Sequence, residues 1–504
     1  MQTLHSVHDG GGSPLITEVQ THLASGLPTL QLIGTIGKSL DESRERVRSA
    51  FASAGIEMPK KKITVNLSPS DIAKNGAHYD LAIALSILLE AKQIKGRNLD
   101  DNPVILGELG LDGDIKPVRG ILGKILAAKD AGFRHFIIPK GNERQAALIP
   151  NIYLCSAVHI KALKKQLEDS GLDYFDTKNG LAIESVAHQA AVDLSEIIGQ
   201  TAAKRALIIA AAGQHNVLLS GPPGVGKSML AKAMIGIMPP LARDEVIAIT
   251  HLHSLVGAQS SELITARPLR SPHHSSSDVS IIGGGQNPKP GEITLAHGGI
   301  LFLDELPEFK RSTIEALRQP LEDRIVTVAR AKDTTTYPAD FILIATKNPC
   351  PCGYYGSSKP CVCSPLEIDR YQKKLSGPLL DRIDLHVTVD SIDHEKLLAD
   401  APHAPQESSQ AAQERVVDVL ARQAARFGND SAKNGSMSNR DIKKYAQLSP
   451  AAKELLDTAA RKLDLSARVY MKTIKLARTI ADLDNSDTTE LLHVSEALQY
   501  RPSS

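Results

Sequence analysis

The chain has 504 residues with a net charge of +1, and aromatic residues make up only 4% of it. This length predicts roughly two to four domains with ample core, and the balanced charge confines any nucleic-acid surface to a local patch. No apolar run approaches the roughly 20 residues that span a bilayer, and residues 1–12 lack the charged start and apolar core of a signal peptide. We therefore expect a cytoplasmic protein without membrane contact.

Residues 1–170 alternate strand-like and helix-like patterns, which is typical of an α/β domain. The apolar runs predict strands at Leu30–Ile33, Ile63–Leu67, Val104–Leu109 and His135–Ile138. Helical patterns occupy residues 39–54, 80–91 and 120–131.

The order of these elements and the run Gly107–Gly113 resemble the proteolytic domain of Lon-type proteases, over roughly residues 60–150. That family places a catalytic Ser in a Gly-x-Ser-Ala-Gly turn and pairs it with a Lys. Here the corresponding run Asn75–Asp80 contains no serine, and the lysine position falls on Leu122, two residues before Lys124. Because covalent catalysis needs a nucleophile and its base, we expect a non-proteolytic relative that serves as a scaffold or a partner surface.

A phosphate-binding loop follows further along the chain. The apolar run Val217–Leu219 predicts a buried strand, and Met229–Met234 predicts a helix. Between them lies a G-x-x-x-x-G-K-S motif, made of Gly221, Pro222, Pro223, Gly224, Val225, Gly226, Lys227 and Ser228. The glycines let backbone amides surround phosphate at the positive end of the helix. We expect Lys227 to contact the β- and γ-phosphates and Ser228 to hold Mg²⁺.

Two further strands carry polar groups at their ends. The apolar run Gly299–Leu303 is followed by Asp304 and Glu305, as in a central parallel strand whose end meets a metal. We expect Asp304 to bind Mg²⁺ through water and Glu305 to polarise the attacking water. The run Phe341–Thr346 predicts a neighbouring strand that leads to Asn348, whose amide could orient the same water.

Four of the five cysteines form two Cys-x-Cys pairs, Cys350 with Cys352 and Cys361 with Cys363. Four thiolates can enclose a tetrahedral Zn²⁺, although this spacing is tighter than the usual one. Such an ion has no open coordination position and is structural. Free reduced thiols are the alternative, and the grouping argues against a secreted disulfide framework.

The remaining patterns divide the chain. Residues 171–193 mix Asp, Ser, Asn and Gly and predict a linker, followed by an ATPase core at 194–395 and a helical domain at 396–504. Ser449 is a predicted N-cap in that last domain. Its helical patterns are Gln413–Phe427, Leu465–Leu483 and Val494–Tyr500.

Several phrases resemble the magnesium-chelatase-like AAA+ family, whose members are similar to the MCM replicative helicases. These phrases are Arg267–Ser275, Gly291–Gly299, Leu306–Phe309 and Leu375–Asp384. The resemblance runs through nearly the whole chain and implies a parallel-sheet AAA+ core with a helical lid that closes over ATP and Mg²⁺. It also implies a ring-forming, hexameric DNA motor with helicase and branch-migration activity on branched or single-stranded DNA. Its setting would be homologous recombination of incoming DNA in natural transformation.

The same resemblance assigns roles to single residues. It places the sensor at Asn348 and puts Arg382 where MCM-like ATPases carry the arginine that reaches a neighbouring subunit's γ-phosphate, a group worth about 10³–10⁵ in rate. Arg468 matches the lid arginine that senses nucleotide. Structural salt bridging is the alternative for both arginines, and the resemblance does not settle which subunit each one serves.

The segment Ile325–Tyr337 predicts two strands around a basic tip, and it resembles the hairpin that MCM-type rings project into their pore. Arg330 and Lys332 at this tip are candidate DNA contacts, because cations bind phosphate without reading sequence; the alternative is a solvated tip.

A second function also stays open, namely a chelatase-like or chaperone-like ATPase that remodels a protein partner. The absence of an integrin-like domain and the cations of the hairpin argue against it.

Overall fold

The computed structural model of the chain describes residues 3–8, 15–35, 37–72, 74, 76–169, 171–178, 180–181, 192–257, 262–285, 289–329, 334–357, 359–390 and 407–502. The chain divides into two compact units. The first comprises Met1–Glu184, Ala242–Thr265 and Ala329–Thr336, and the second comprises Ser185–Leu241, Ala266–Val328 and Tyr337–Ser504.

The strands of the described residues are, in chain order, β1 (Leu4–His8), β2 (Leu15–Ala24), β3 (Thr29–Ile33), β4 (Lys62–Ser68), β5 (Val104–Ile105), β6 (Glu108–Leu109), β7 (Ile115–Lys116), β8 (His135–Pro139), β9 (Tyr153–Ala157), β10 (Phe175–Asp176), β11 (Val217–Ser220), β12 (Leu269–Arg270), β13 (Gly283–Gly284), β14 (Lys289–Pro290), β15 (Ile300–Leu303), β16 (Ile325–Ala329), β17 (Thr334–Pro338), β18 (Ile342–Lys347) and β19 (Leu385–Thr388).

The α-helices of the same residues are α1 (Lys38–Asp41), α2 (Ser43–Ala54), α3 (Asp80–Glu90), α4 (Ile121–Asp130), α5 (Glu143–Ala146), α6 (Ile160–Asp169), α7 (Thr201–Gly213), α8 (Lys227–Ile237), α9 (Arg243–Ser254), α10 (Asp278–Ile282), α11 (Glu292–Leu295), α12 (Arg311–Ala316), α13 (Arg318–Asp323), α14 (Pro365–Gln372), α15 (Gly377–Leu380), α16 (Ser409–Phe427), α17 (Asn439–Tyr445), α18 (Pro450–Lys462), α19 (Ala467–Leu483) and α20 (Leu491–Gln499).

The first unit contains an eight-stranded mixed sheet with the strand order β10-β9-β8-β5-β1-β2-β4-β3. Helix α3 is apolar almost all round, and Asp80–Leu88 are buried, as expected of a helix in the middle of a core. The strand predicted at Val104–Leu109 is divided into β5 and β6. The reason lies at Gly107, whose amide donates to the His78 carbonyl and whose carbonyl accepts from the Leu81 amide, so the chain leaves the sheet there to meet α3.

The protease-like region of this unit uses its polar side chains for internal contacts. A ring nitrogen of buried His78 lies 2.8 Å from the Val7 carbonyl oxygen. Lys124 is buried and donates from Nζ to the Arg119 carbonyl at 3.0 Å.

The second unit contains a five-stranded parallel sheet with the order β12-β15-β18-β11-β19. Its central strands are continuous apolar runs because parallel sheets are covered on both faces, and Ile300–Leu303 are all buried. The carboxyl ends of β11, β15 and β18 meet at one edge, which is where ligands bind in open parallel sheets.

The C-terminal helices pack around this sheet within the second unit. Helix α16 packs against α7 and α8, and Ser449 caps α18 as predicted, accepting from the Ala452 amide. Buried Asp482 on α19 binds Arg426 and Arg478, which satisfies a charge that would be costly if unpaired. In the described part of the chain, no helix has the length and apolar character that a membrane crossing requires.

Candidate nucleotide site

The phosphate loop leaves the carboxyl end of β11 and ends where α8 begins at Lys227. Gly224 and Gly226 have φ angles of 83° and 90°, a region that side chains with a Cβ rarely adopt. These turns bring the loop to the amino end of α8, where free amides and the helix dipole favour an anion. The motif therefore has the conformation that its glycines predict.

Lys227 is held between the loop and the end of β18. Its Nζ donates to the carbonyls of Gly221 at 2.5 Å and Pro222 at 2.8 Å, and to Asn348 Oδ1 at 3.1 Å. Burial lowers the pKa of Lys227, and the nearby carboxylates of Asp304 and Glu305 oppose this effect. The predicted sensor and the predicted phosphate-binding lysine are thus in direct contact.

Asp304 and Ser228 also lie together. Ser228 Oγ lies 3.2 Å from Asp304 Oδ2, so a hydroxyl and a carboxylate, both oxygen ligands that suit Mg²⁺, face the same point. Thr346 supports this pair from β18, since its hydroxyl donates to Asp304 Oδ1 at 2.7 Å and accepts from the Glu305 amide at 2.8 Å. Sequence reasoning missed Thr346, although a lone hydroxyl inside an apolar strand was a signal.

Glu305 has a left-handed backbone with φ of 54°. For a residue with a side chain this conformation costs on the order of 1–3 kcal/mol and is found mainly at functional sites. The turn follows directly after β15, and the Glu305 side chain is exposed at the same edge as Lys227 and Asn348. The structure therefore brings together all the residues predicted at the carboxyl ends of the strands.

Arg382 lies at the other end of the strands, where β11 and β19 begin. It precedes β19, whose first residue Leu385 is in register with Val217, the first residue of β11. The Arg382 carbonyl accepts from Asn216 Nδ2 at 3.2 Å, immediately before β11 begins. The phosphate loop starts beyond the other end of β11, so Arg382 and Lys227 of one chain are separated by the length of that strand.

Arg468 shares a partner with Arg382. The Arg382 guanidinium binds the Glu322 carboxylate at the end of α13, and Arg468 Nη2 lies 3.3 Å from the same carboxylate. The hydrogen bond from Arg382 holds the pKa of the Glu322 carboxyl below its ordinary value. The two arginines therefore form a pair at the edge away from the phosphate loop, and Glu322 is a member of this group that sequence reasoning missed.

These residues line a cleft of about 610 Å³ in the second unit. Its ionisable lining comprises the cations Arg324, Arg382, Arg468, Lys472 and Lys475 and the carboxylates Glu322, Asp340 and Asp384. Lys472 pairs with Asp384 at 3.2 Å, so part of this charge is neutralised internally. The remaining excess of cations favours an anionic group.

The predicted hairpin and the predicted cysteine cluster are both formed, but the structure describes only part of the hairpin. Strands β16 and β17 form a two-stranded sheet as predicted, but Arg330 and Lys332 at its tip lie outside the described residues. The four sulfur atoms of Cys350, Cys352, Cys361 and Cys363 all lie within 4.8 Å of one another, so the two Cys-x-Cys pairs do converge.

The fold and the site define a class of protein. In the parallel sheet, the first strand in chain order lies between the fourth and the fifth, with a phosphate loop after the first strand and an acidic pair after the third. Together with the C-terminal helices this is an AAA+ ATPase, for which ATP and Mg²⁺ are the cofactors.

The chain belongs to the magnesium-chelatase-like family that includes YifB and ComM. A family model described as magnesium chelatase, subunit ChlI, matches residues 193–397, a model of subunit ChlI of Mg-chelatase matches 19–142, and a C-terminal ChlI model matches 406–501. The uncharacterized protein YifB of Escherichia coli is 39% identical, over 98% of this chain and 95% of its own length. Competence protein ComM of Haemophilus influenzae is also 39% identical, over 98% and 95% respectively.

A part of the chain also matches Lon proteases. The Lon protease of Desulforamulus reducens is 29% identical over 34% of this chain and 20% of its own length. The predicted Lon-like and AAA+ components of the fold are thereby confirmed.

Proposed function

We propose that the chain is an ATP-driven DNA motor that works as a closed ring, as a helicase or branch-migration enzyme. One observation carries the proposal: Lys227 and the arginine pair lie at opposite edges of one sheet. A phosphate loop on one side and an arginine on the other complete a site only when chains associate head to tail, and such contacts form rings when the rotation between chains closes. A hexamer is the ring size that we propose.

In this ring each residue at the carboxyl edge acts on the nucleotide of its own chain. Lys227 neutralises charge on the β- and γ-phosphates, while Ser228 and Asp304 hold the metal. The ion held there would neutralise charge on the phosphate oxygens and so favour attack by water. Glu305 accepts a hydrogen bond from that water and Asn348 orients it.

The arginine pair acts on the neighbouring chain. Arg382 stabilises the charge that develops on the γ-phosphoryl group, and Arg468 contacts the same nucleotide. Both side chains are on the face that carries the cationic cleft, which supports their assignment to the next subunit.

DNA is the proposed substrate of the motion. A relative of nearly equal length is named a competence protein, and we carry this role to the chain as recombination of incoming DNA in natural transformation. Strands β16 and β17 support the pore hairpin, whose tip residues Arg330 and Lys332 we assign to phosphate contacts with branched or single-stranded DNA. The protease-like domain acts as a scaffold, and we place no peptide hydrolysis there.

The cysteine cluster is proposed to hold a structural Zn²⁺ rather than free thiols. Tetrahedral coordination with Zn–S bonds of about 2.3 Å places sulfur atoms about 3.8 Å apart. The sulfur of Cys350 lies 3.3 Å from Cys352 and 3.7 Å from Cys361, and Cys352 lies 3.5 Å from Cys361. The donor set and its spacing therefore fit the ion.

ATP hydrolysis with and without forked or four-way DNA tests the motor. We expect Lys227→Ala to abolish turnover and Glu305→Gln to lower it by about 10²–10⁴-fold, the usual contribution of a general base. Lys232→Ala is the matched control, because Lys232 is an exposed lysine on the same helix. Normal turnover in both site variants would end the enzymatic proposal.

The hairpin variants separate DNA from a protein partner. We expect Arg330→Ala with Lys332→Ala to remove the stimulation by DNA and to leave basal hydrolysis intact. Unchanged stimulation would instead favour the remodelling of a protein.

A further inference from the structure

The cysteine cluster belongs to a loop that starts beside the nucleotide site and leads to α14. This Cys loop (residues 350–363) begins two residues after Asn348, whose side chain accepts from Lys227. It ends one residue before Ser364, which caps α14. The last residue of α14, Gln372, returns to the start of the loop and donates to the Pro349 carbonyl at 3.5 Å. Both ends of the Cys loop are therefore anchored beside Asn348.

The Cys loop lies against the phosphate loop directly after its first cysteine pair. A β-carbon built on Gly353 would lie 2.7 Å from Pro223 Cδ, closer than side chains approach in real structures. The backbone of Gly353 is consequently in van der Waals contact with the second proline of the phosphate loop. Any displacement of the Cys loop at this point displaces Pro223, or leaves it without support.

The Cys loop has little hydrophobic support of its own. Its described residues form no helix or strand, and its larger apolar side chains point outward, with Tyr355 exposed by 53% and Val362 by 86%. Backbone amides donate to its sulfur atoms instead, from Tyr355 to Cys350 at 3.3 Å and from Cys352 to Cys363 at 3.4 Å. Amide donors of this kind stabilise metal-bound thiolates.

We propose that Zn²⁺ bound by the four cysteines fixes the Cys loop against Pro223 and Asn348, so that the affinity for nucleotide depends on the metal. The inference rests on the proposed ATP site, but it does not require that the motor acts on DNA. The metal takes no part in hydrolysis, because four thiolates leave it no open position. It acts through the position of the residues that contact phosphate.

The first experiment measures metal and nucleotide binding on the full chain. We expect about one zinc ion per chain by mass spectrometry of the metal. Replacing Cys361 and Cys363 with serine should remove the zinc and weaken the binding of a fluorescent, non-hydrolysable ATP analogue by about 10- to 100-fold, the usual effect of lost support around a site. Cys155→Ser is the control, since Cys155 is a buried free cysteine of the first unit. A chain without zinc, or unchanged affinity after zinc removal, overturns the proposal.

A pair of glycine variants tests the contact while all four cysteines stay in place. Gly353 and Gly356 both have left-handed backbones, with φ of 86° and 76°, but a β-carbon on Gly356 would meet nothing within 4 Å. Both alanine variants carry a similar backbone strain, and only Gly353→Ala presses on Pro223. We expect both to retain zinc and only Gly353→Ala to lose nucleotide affinity. Equal affinities in two zinc-loaded variants would refute the coupling, even if the serine variants did not fold.

The outcomes also distinguish this inference from the proposed function. If nucleotide affinity follows the zinc content but DNA does not stimulate hydrolysis, the coupling stands and the DNA motor fails. If DNA stimulates hydrolysis and affinity is independent of zinc, the reverse holds.

Discussion

Two inactive variants should restore each other if the catalytic centre is shared between neighbouring chains. One variant is Lys227→Ala, which removes the phosphate-binding lysine, and the other is Arg382→Ala, which removes the arginine at the opposite edge. Strand β11 spans four residues between these edges, and at about 3.3 Å per residue this is a separation of about 13 Å along the sheet. The Arg382 guanidinium binds Glu322 at its own end of the sheet, so we expect that one chain does not use both groups on one nucleotide.

The size of the effect follows from counting interfaces. Alone, Arg382→Ala should lower kcat by about 10³–10⁵-fold. In an equal mixture, an interface is complete only when a chain with an intact Lys227 receives an arginine from a chain with an intact Arg382, which describes about a quarter of head-to-tail interfaces. Recovered hydrolysis should therefore approach a quarter of the wild-type rate, far above either variant alone.

The assay mixes dissociated subunits, allows rings to form with nucleotide and measures phosphate release with forked DNA. Copurification through a tag on one variant shows that mixed rings exist. A mixture of Lys227→Ala with Glu305→Gln is the control, because both changes lie at the same edge and no interface in it is free of a defect. Mixed rings that stay as inactive as the single variants would show that the arginine does not serve a neighbour.

Three further predictions concern residues of the second unit. Glu322→Gln should lower kcat by up to about 10²-fold through misplaced arginines, whereas the free energy of unfolding by urea should change by less than about 1 kcal/mol, since exposed ion pairs contribute little. Thr346→Val should destabilise the fold by about 1–3 kcal/mol, because the part-buried Glu305 amide loses its acceptor, and should raise the Mg²⁺ concentration at half-maximal hydrolysis. Burial, reinforced by Lys472 and Lys347, lowers the pKa of His386 from 6.5 to about 4. Stability should therefore fall by about 2 kcal/mol between pH 7.5 and pH 5 in a way that His386→Gln removes.

The sign of the His386 effect follows from proton binding. Above the unfolded pKa of 6.5, His386 is neutral in both states and contributes nothing to the pH dependence. As the pH falls towards 4, the unfolded chain binds a proton that the folded chain does not, so folding is disfavoured. Urea titrations of the two proteins at both pH values measure the difference. Equal pH dependence would mean that His386 protonates freely in the folded state.

The other two variants have their own contradicting outcomes. For Thr346→Val, a normal Mg²⁺ requirement would show that Asp304 does not need the Thr346 hydroxyl. A parallel loss of stability and kcat in Glu322→Gln would assign Glu322 a structural role.

The nucleotide-site residues at the carboxyl ends of the strands were predictable because short, local sequence motifs specify them. The glycine spacing before Lys227 and the acidic pair after an apolar run each specify a local geometry, and parallel strands then bring their ends together without further information. The grouping of the cysteine side chains was predictable for the same reason, since a single residue separates the two cysteines within each pair.

Other features depend on contacts between distant segments and leave no local pattern. Glu322 meets Arg382 and Arg468 only because α13, the turn before β19 and the start of α19 fold together. The contact of Gly353 with Pro223 is likewise tertiary. Strand β2 was missed although its buried and exposed residues alternate, and β1, which pairs with it, was missed as well.

If Arg382 serves a neighbouring chain as we propose, ATP hydrolysis becomes a collective property, because Lys227 and Arg382 lie at opposite ends of β11. On that proposal a solitary chain can hold nucleotide but lacks the arginine that completes the reaction, so turnover per chain should rise with protein concentration until assembly is saturated. In a cell, the concentration of this protein would then set a threshold below which ATP is not hydrolysed.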